Sequence, residues 1–129
     1  MYAIRAIRLL PLLAALATPA ALAGGKGDAA NGKIVFEQLC SVCHAASRDG
    51  SGETRGPNLF GLIGRKAGSE RDFAMYSPAL QAFGMQWTAE MLDGFLADPA
   101  TKVPGTTMPV TVPDSKERAD LIAYLASLR

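Results

Sequence analysis

The chain has 129 residues, with 13 lysines and arginines against 12 aspartates and glutamates, two cysteines and a single histidine. This length supports one compact domain and excludes a multidomain enzyme. The near-neutral charge, without any run of lysine or arginine, argues against nucleic acid or an anionic membrane as the main partner.

Residues 1–23 are typical of a secretory signal peptide. Arg5 and Arg8 give a positive start, an apolar stretch follows over residues 9–23, and Ala21-Leu22-Ala23 supplies small residues for cleavage. The apolar stretch contains two prolines and is shorter than the roughly 20 residues needed to span a bilayer. We therefore expect cleavage, export to the periplasm without stable membrane insertion, and a folded domain over residues 24–129.

The first half of the mature chain predicts one helix followed by loops. Asp28 can cap a helix that runs towards the cysteines. The inward positions at helical spacing are Phe36, Leu39, Cys40 and Cys43. Residues 45–56 are polar and glycine-rich, which indicates a surface loop. In residues 57–68 frequent glycines accompany dense apolar side chains, which indicates a buried irregular segment.

The second half predicts two helices before a proline-rich stretch. Ser77-Pro78 places a capping serine before a proline at the first helical position and so opens a short helix. Thr88 caps a second helix, which Asp98-Pro99 is expected to end. The prolines over residues 99–113 argue against regular structure there.

A final helix is predicted from a capping box formed by Asp114 and Glu117. Its inward positions are Leu121, Tyr124, Leu125 and Leu128. Because no segment alternates convincingly between apolar and polar residues, the fold class is predicted to be all-α with long loops.

The segment Cys40–His44 reads Cys-Ser-Val-Cys-His, the attachment signature for c-type haem. On a helix, residues at i and i+3 share a face, so two thiols can reach the two vinyl groups on one side of a porphyrin. His44 can then offer its imidazole to the iron. A thioredoxin-like pair would need a βαβ context, a zinc site would need further ligands, and a local disulfide is a third alternative.

The sixth iron ligand cannot be a second histidine of the same chain, because His44 is the only one. By their positions in the sequence, several methionines remain candidates for the sixth iron ligand. Met91 lies on the inward side of a predicted helix, whereas Met75 and Met85 lie in short connections. Met108 lies in a loop bounded by prolines, whose irregular backbone lets a side chain point at a cofactor, and is preferred on that ground.

Five motifs in order resemble a class I cytochrome c, of the mitochondrial and bacterial cytochrome c2 branch. The motifs are Cys40–His44, Gly56–Gly68, Tyr76 with Trp87, Pro104–Met108 and Asp120–Leu125. The resemblance covers nearly all of residues 26–129. It implies a small fold of three to five helices with long loops, wrapped around one covalently bound haem c and its iron.

The resemblance also implies roles for individual residues. Cys40 and Cys43 would form the thioethers, His44 would be the proximal iron ligand and Met108 the distal one. The implied haem surroundings are Pro57, whose carbonyl accepts a hydrogen bond from the proximal histidine, and Arg65, Tyr76 and Trp87 around the propionates. In the same way, Gly32 and Phe36 would meet Leu121 and Tyr124 where the terminal helices cross.

The sequence departs from the family at several positions. Phe95 stands where mitochondrial members carry a tyrosine, and Leu80 where many members carry a buried asparagine. Ala100, Thr101 and Thr107 occupy positions where mitochondrial members carry lysines around the exposed haem edge. Docking to the acidic partners of that branch is therefore not expected by default.

We interpret the protein as a periplasmic electron carrier rather than an enzyme. It would be monomeric and would move single electrons between a respiratory or dehydrogenase donor and a terminal acceptor, both redox proteins. The alternative is a haem c subunit held stably in one oxidoreductase complex. A ligand-binding or peroxidatic haem enzyme would need an open sixth position at the iron.

Overall fold

The computed structural model describes residues 27–50 and 54–129, so the expected signal peptide lies outside the described residues. The helices are α1 (Ala29–Leu39), α2 (Pro78–Phe83), α3 (Ala89–Ala97), α4 (Pro99–Lys102) and α5 (Ser115–Ser127). Within the described ranges, β-structure is limited to an isolated antiparallel bridge between Lys66 and Gln86. The predicted all-α fold class is confirmed.

Each helix is preceded by a capping residue whose side chain accepts a hydrogen bond from a backbone N–H in the first turn of the helix. The caps are Asp28, Ser77, Thr88, Asp98 and Asp114. Four of them were expected as helix starts, which confirms the predicted beginnings of α1, α2, α3 and α5.

Helix α4 corrects the prediction that residues 99–113 lack regular structure. Pro99 occupies the first helical position, where a missing N–H costs nothing and the fixed φ suits a helix. The Asp98 carboxylate accepts a hydrogen bond from the Thr101 N–H at 3.1 Å. Asp98-Pro99 therefore ends one helix, as predicted, and starts another.

Helix α1 ends at Leu39, before both cysteines. This corrects the prediction that Cys40 and Cys43 continue the inward face of the helix. Its buried residues are Gly32, Val35 and Phe36, followed by Cys40 just past the helix end. Leu39 is 40% exposed, although it also borders the cleft described below. The Cys40 carbonyl accepts hydrogen bonds from the Cys43 N–H at 3.0 Å and from the His44 N–H at 2.9 Å, so the two cysteines lie on a turn of mixed 3₁₀ and α type that follows the regular helix.

Helices α1 and α5 cross at the point that the sequence predicted. A Cβ atom added to Gly32 would overlap the Asp120 carbonyl and lie 2.9 Å from the Leu121 nitrogen, so only glycine allows this approach. One turn along, the rings of Phe36 and Tyr124 pack with centroids 5.5 Å apart. The expected crossing of the terminal helices is confirmed.

Helix α3 packs against α5 and completes the framework. An ion pair between Asp93 and Arg118, at 2.7 Å, joins the two helices at their edge. The buried apolar side chains between them include Leu92, Phe95, Leu96, Leu121 and Leu125. Among the described residues, the longest helix falls short of the length and apolar character that a membrane span requires.

Candidate functional site

The helices and the loops between them enclose a deep cleft. It contains about 1150 Å³ of space free of protein atoms, part of which opens to solvent. All the site residues proposed from the sequence line it: Cys40, Cys43, His44, Pro57, Arg65, Tyr76, Trp87 and Met108. Segments separated by almost 70 positions along the chain therefore converge on one cavity.

The two sulfurs enter the cleft from the turn after α1. Both Cys40 and Cys43 carry free thiols, and Cys43 is the more exposed of the two. Burial, reinforced by the neighbouring Cys43, raises the pKa of the Cys40 thiol to about 11. Cys40 is thus held protonated, and both sulfurs are available for covalent attachment.

His44 follows the second cysteine and is held by one strong hydrogen bond. Its Nδ1 lies 2.7 Å from the Pro57 carbonyl oxygen. Because a carbonyl can only accept, Nδ1 carries the proton and Nε2 keeps a lone pair. Burial lowers the pKa of His44, against the opposing effect of the Pro57 bond, so the imidazole is neutral and able to bind a metal.

Gly56 is a site residue to which the sequence reasoning gave no role. A Cβ atom at this position would lie 2.7 Å from Nδ1 and 2.8 Å from Nε2 of His44. The backbone at Gly56 therefore passes directly against the imidazole ring, and any side chain at this position would overlap the ring. The glycine before Pro57 is visible in the sequence, but its contact with a ring 12 positions earlier depends on the fold.

Met108 lies on a loop that is anchored at both ends. Val103 and Val112 are 3% and 0% exposed, and the Val112 N–H donates to the Leu96 carbonyl at 2.8 Å. Between these anchors the backbone is free of helix and strand, and the half-buried Met108 side chain borders the cleft.

The other methionines are placed less favourably for a ligand. Met75 borders the cleft but is 68% exposed, whereas Met85 and Met91 are not among the described residues that line it. The alternatives left open by position therefore reduce to Met108 and, less favourably, Met75.

A polar group of residues closes one side of the cleft. The Arg65 guanidinium donates to the Asn58 carbonyl at 2.6 Å and forms an ion pair with Glu70. The Glu70 N–H in turn donates to the Tyr76 hydroxyl at 3.1 Å. Burial raises the pKa of Tyr76, so its hydroxyl stays protonated at neutral pH. Glu70 was not foreseen, since its partner lies five positions earlier in an irregular loop.

Most of the remaining lining is apolar, although Arg55, Lys66, Ser77, Thr106 and Thr107 also border the cleft. Trp87 is buried, and its ring packs 5.1 Å from that of Phe95, centroid to centroid. Leu80 and Phe95, two of the departures noted in the sequence, both line the cleft. Apolar side chains therefore stand at two positions where many resembling proteins present polar groups.

This donor set fits a haem. Two adjacent thiols suit covalent attachment, while a neutral imidazole and a thioether suit the two axial positions of the iron. The apolar walls suit the faces of a porphyrin, and the Arg65 guanidinium and Tyr76 hydroxyl are donors for its carboxylates.

Comparison with known proteins gives one consistent family. The family model for cytochrome c matches residues 29–129. Cytochrome c from Tetrahymena pyriformis is 46% identical over 104 residues, which cover 80% of this chain and 91% of that protein. Cytochrome c2 from Blastochloris viridis is 43% identical over 115 residues, 88% of this chain and 85% of its own length. The structure of cytochrome cH from Methylobacterium extorquens matches with a TM-score of 0.69 and 41% identity, covering 78% of this chain and 99% of its own.

Proposed function

This chain belongs to the cytochrome c family, a class I c-type cytochrome with one covalent haem c that carries electrons, and from this premise we propose how it does so. Cys40 and Cys43 would hold the haem through thioethers, and His44 and Met108 would supply the two protein ligands of its iron. When bound, the haem supplies one-electron chemistry, with iron passing between the ferric and ferrous states.

The observation that carries this proposal is the hydrogen bond between His44 and Pro57. At 2.7 Å it fixes the tautomer of the imidazole and keeps Nε2 for the iron. It also makes the imidazole a stronger electron donor, since the Nδ1 proton is shared with the carbonyl oxygen. Gly56 supports the same arrangement by leaving room for the ring.

As an iron ligand, Met108 would stabilise the ferrous state of the haem relative to the ferric state. A thioether is a neutral, soft ligand, and an axial methionine raises the reduction potential of a haem. The short loop between Val103 and Val112 holds this ligand without a helix, and its buried ends resist displacement of the sulfur from the cleft.

The apolar walls act in the same direction. Leu80, Phe95 and Trp87 place hydrocarbon around the cleft and leave less room for water beside a group bound there. A net positive charge is disfavoured in such surroundings, so the walls favour the ferrous state over the ferric one.

We infer that the protein works in the periplasm as a monomer, exchanging electrons with redox proteins and performing no turnover of its own. The signal-like residues 1–23 support export, and the helical framework supports a small carrier. Ala100, Thr101 and Thr107 are exposed where the resembling mitochondrial proteins carry lysines. This favours docking that does not depend on a lysine-rich face.

The ligand assignment is tested by Met108→Ala in the purified holoprotein. The variant is expected to keep its covalent haem, since both cysteines remain, and to bind carbon monoxide readily when reduced, because its sixth position is open. Met75→Ala and the exposed, distant Met85→Ala serve as comparisons and are expected to bind carbon monoxide no better than the parent protein. If Met75→Ala opened the iron and Met108→Ala did not, the assignment would be wrong.

A further inference from the structure

An ion pair lies at the polar wall of the cleft. The Arg65 and Glu70 side chains are only 17% and 22% exposed; Arg65 lines the cleft, and Glu70 lies behind it as its ion-pair partner. Water screens a pair in this position far less than it screens pairs on the open surface. The charges of both residues therefore act on whatever occupies the cleft.

Both partners are fixed by bonds to the surrounding backbone. The Arg65 guanidinium also donates to the carbonyls of Asn58 and Phe60, at 2.6 Å and 3.3 Å. Glu70 accepts from the Arg71 N–H at 2.9 Å and donates its own N–H to the Tyr76 hydroxyl at 3.1 Å. To move apart, Arg65 would have to give up its bonds to two carbonyls, or the Glu70 carboxylate its bond to the Arg71 N–H, so these contacts hold the pair at the wall.

The two charges have opposite effects on a redox centre in the cleft. Oxidation adds one positive charge, which a neighbouring guanidinium disfavours and a neighbouring carboxylate favours. An unpaired Arg65 would raise the reduction potential and would be fully available to the carboxylates of a haem. Paired with Glu70, it presents little net charge to the cleft.

We propose that Glu70 is a positioning residue that sets the reduction potential, by pairing with Arg65 and holding the potential below that of the same chain with a neutral residue 70. The inference rests on the proposed function, since it requires a haem in this cleft. It adds a residue outside the covalent and iron-binding set, and it specifies the sign of the effect.

Other charged groups near the pair differ in exposure. Lys66, Arg71 and Asp72 belong to the same loop and Arg55 precedes it. Lys66 and Arg55 also border the cleft, but all four residues are exposed, so water screens their charges. Tyr76 faces the pair from the following segment and is held neutral by burial. Among the described residues of this wall, Arg65 and Glu70 are the charged groups that are largely withdrawn from solvent.

Potentiometric titration of Glu70→Gln tests the proposal. Glutamine keeps the size of the side chain and one acceptor oxygen but removes the charge. The ferric–ferrous equilibrium is expected to shift threefold to tenfold towards the reduced form, where tenfold corresponds to 59 mV for one electron. Asp93→Asn is the matched control, because it removes the same charge from an ion pair between α3 and α5, away from the cleft.

Two further variants separate charge from structure. Glu70→Asp keeps the charge, and its ferric–ferrous equilibrium constant is expected to stay within twofold of that of the parent protein. Arg65→Gln is expected to shift the equilibrium towards the oxidised form and to reduce the effect of E70Q in the double variant, and it tests the pair even if E70Q loses its haem. Equal midpoints for E70Q and D93N, or an E70Q effect unchanged by R65Q, would overturn the proposal. A parent protein without a one-electron wave would instead overturn the proposed function, and this inference with it.

Discussion

The imidazole of His44 has its orientation set by two neighbours that are adjacent in sequence. Pro57 accepts the Nδ1 proton at 2.7 Å, and Gly56 lets the backbone pass against the ring. The first contact fixes which nitrogen is free, and the second fixes where the ring lies. A single side chain thus depends on a dipeptide 12 and 13 positions further along the chain.

Gly56→Ala tests this dependence. The new methyl group would lie 2.7 Å from Nδ1, so the ring has to move and the hydrogen bond to Pro57 is strained. We expect less covalent haem per protein and a loss of about 1 to 3 kcal/mol in the free energy of unfolding, as is typical of overpacking. The measurements are haem content by absorbance and denaturant unfolding of the holoprotein.

Gly94→Ala is the matched control. It adds the same methyl group inside α3, where the nearest atom is the end of the flexible Lys102 side chain at 3.3 Å. Because alanine also has the better helix propensity, this variant should be neutral or slightly more stable. If both variants retained full haem and equal stability, the steric role of Gly56 would be refuted.

At the scale of elements, the helix beginnings could be read from local chemistry. Asp28, Ser77, Thr88 and Asp114 each cap the helix that their sequence context predicted. A cap depends on residues within one turn, so it is visible without the fold. Helix α4 has the same signal at Asp98-Pro99, but the later prolines outweighed it in the sequence reasoning.

The end of α1 could not be read in the same way. Apolar spacing continues through Cys43, yet the regular helix stops at Leu39 and a turn with mixed hydrogen bonding carries the two cysteines. Both geometries bring residues i and i+3 to one side, so spacing alone does not distinguish them. The difference is decided by packing against the rest of the chain.

We expect the stability of the protein to depend on pH through the Asp120 carboxylate, which lies where α1 and α5 cross. The buried Asp120 accepts a hydrogen bond from Lys116 at 2.6 Å and from the Asp28 N–H at 2.7 Å. The Lys116 bond and then the Asp28 bond hold the pKa of Asp120 below its usual 3.8. A lowered pKa contributes stability above the usual carboxyl range, and this contribution is lost as the pH falls through the folded-state pKa.

The corresponding measurement compares the parent protein with Asp120→Asn by denaturant unfolding across pH 7 to 3. The variant is expected to be less stable at neutral pH, because the charge that strengthens both hydrogen bonds is gone. The difference between the two proteins should shrink as the pH falls, since the parent protein then loses the same charge. Parallel pH profiles would show that the ionised carboxylate adds nothing to the crossing.

At the scale of the whole molecule, the apolar core is divided by the cleft. Side chains of α3 and α5 face it from one side, and the irregular segment from Pro57 to Gly68 closes another. Backbone hydrogen bonds tie that segment to other parts of the chain, and its Leu59 and Leu62 side chains line the cleft. A flat apolar group in the cleft would cover these side chains and remove their surface from water. The haem is therefore part of the core as well as the redox centre.

The type of site could be predicted from the sequence because the chain contains few residues of the kinds that attach a haem or bind its iron. Two cysteines and one histidine in a haem-attachment signature leave few other combinations. Position in the sequence provided only a preference for Met108 over the other methionines, since a firmer choice requires knowing which loop closes the cleft. Glu70 and Gly56 were missed because their partners are brought together only by tertiary structure.

We propose that His44 and Met108 hold the iron of one haem that transfers one electron. Potentiometric titration of the purified protein beside its Met108→Ala variant tests this ligation most directly. We predict a single reversible one-electron wave for the parent protein, and for the variant a wave lowered by more than about 59 mV, a tenfold shift towards the oxidised form. Identical midpoints for the two proteins would contradict the ligation of iron by Met108.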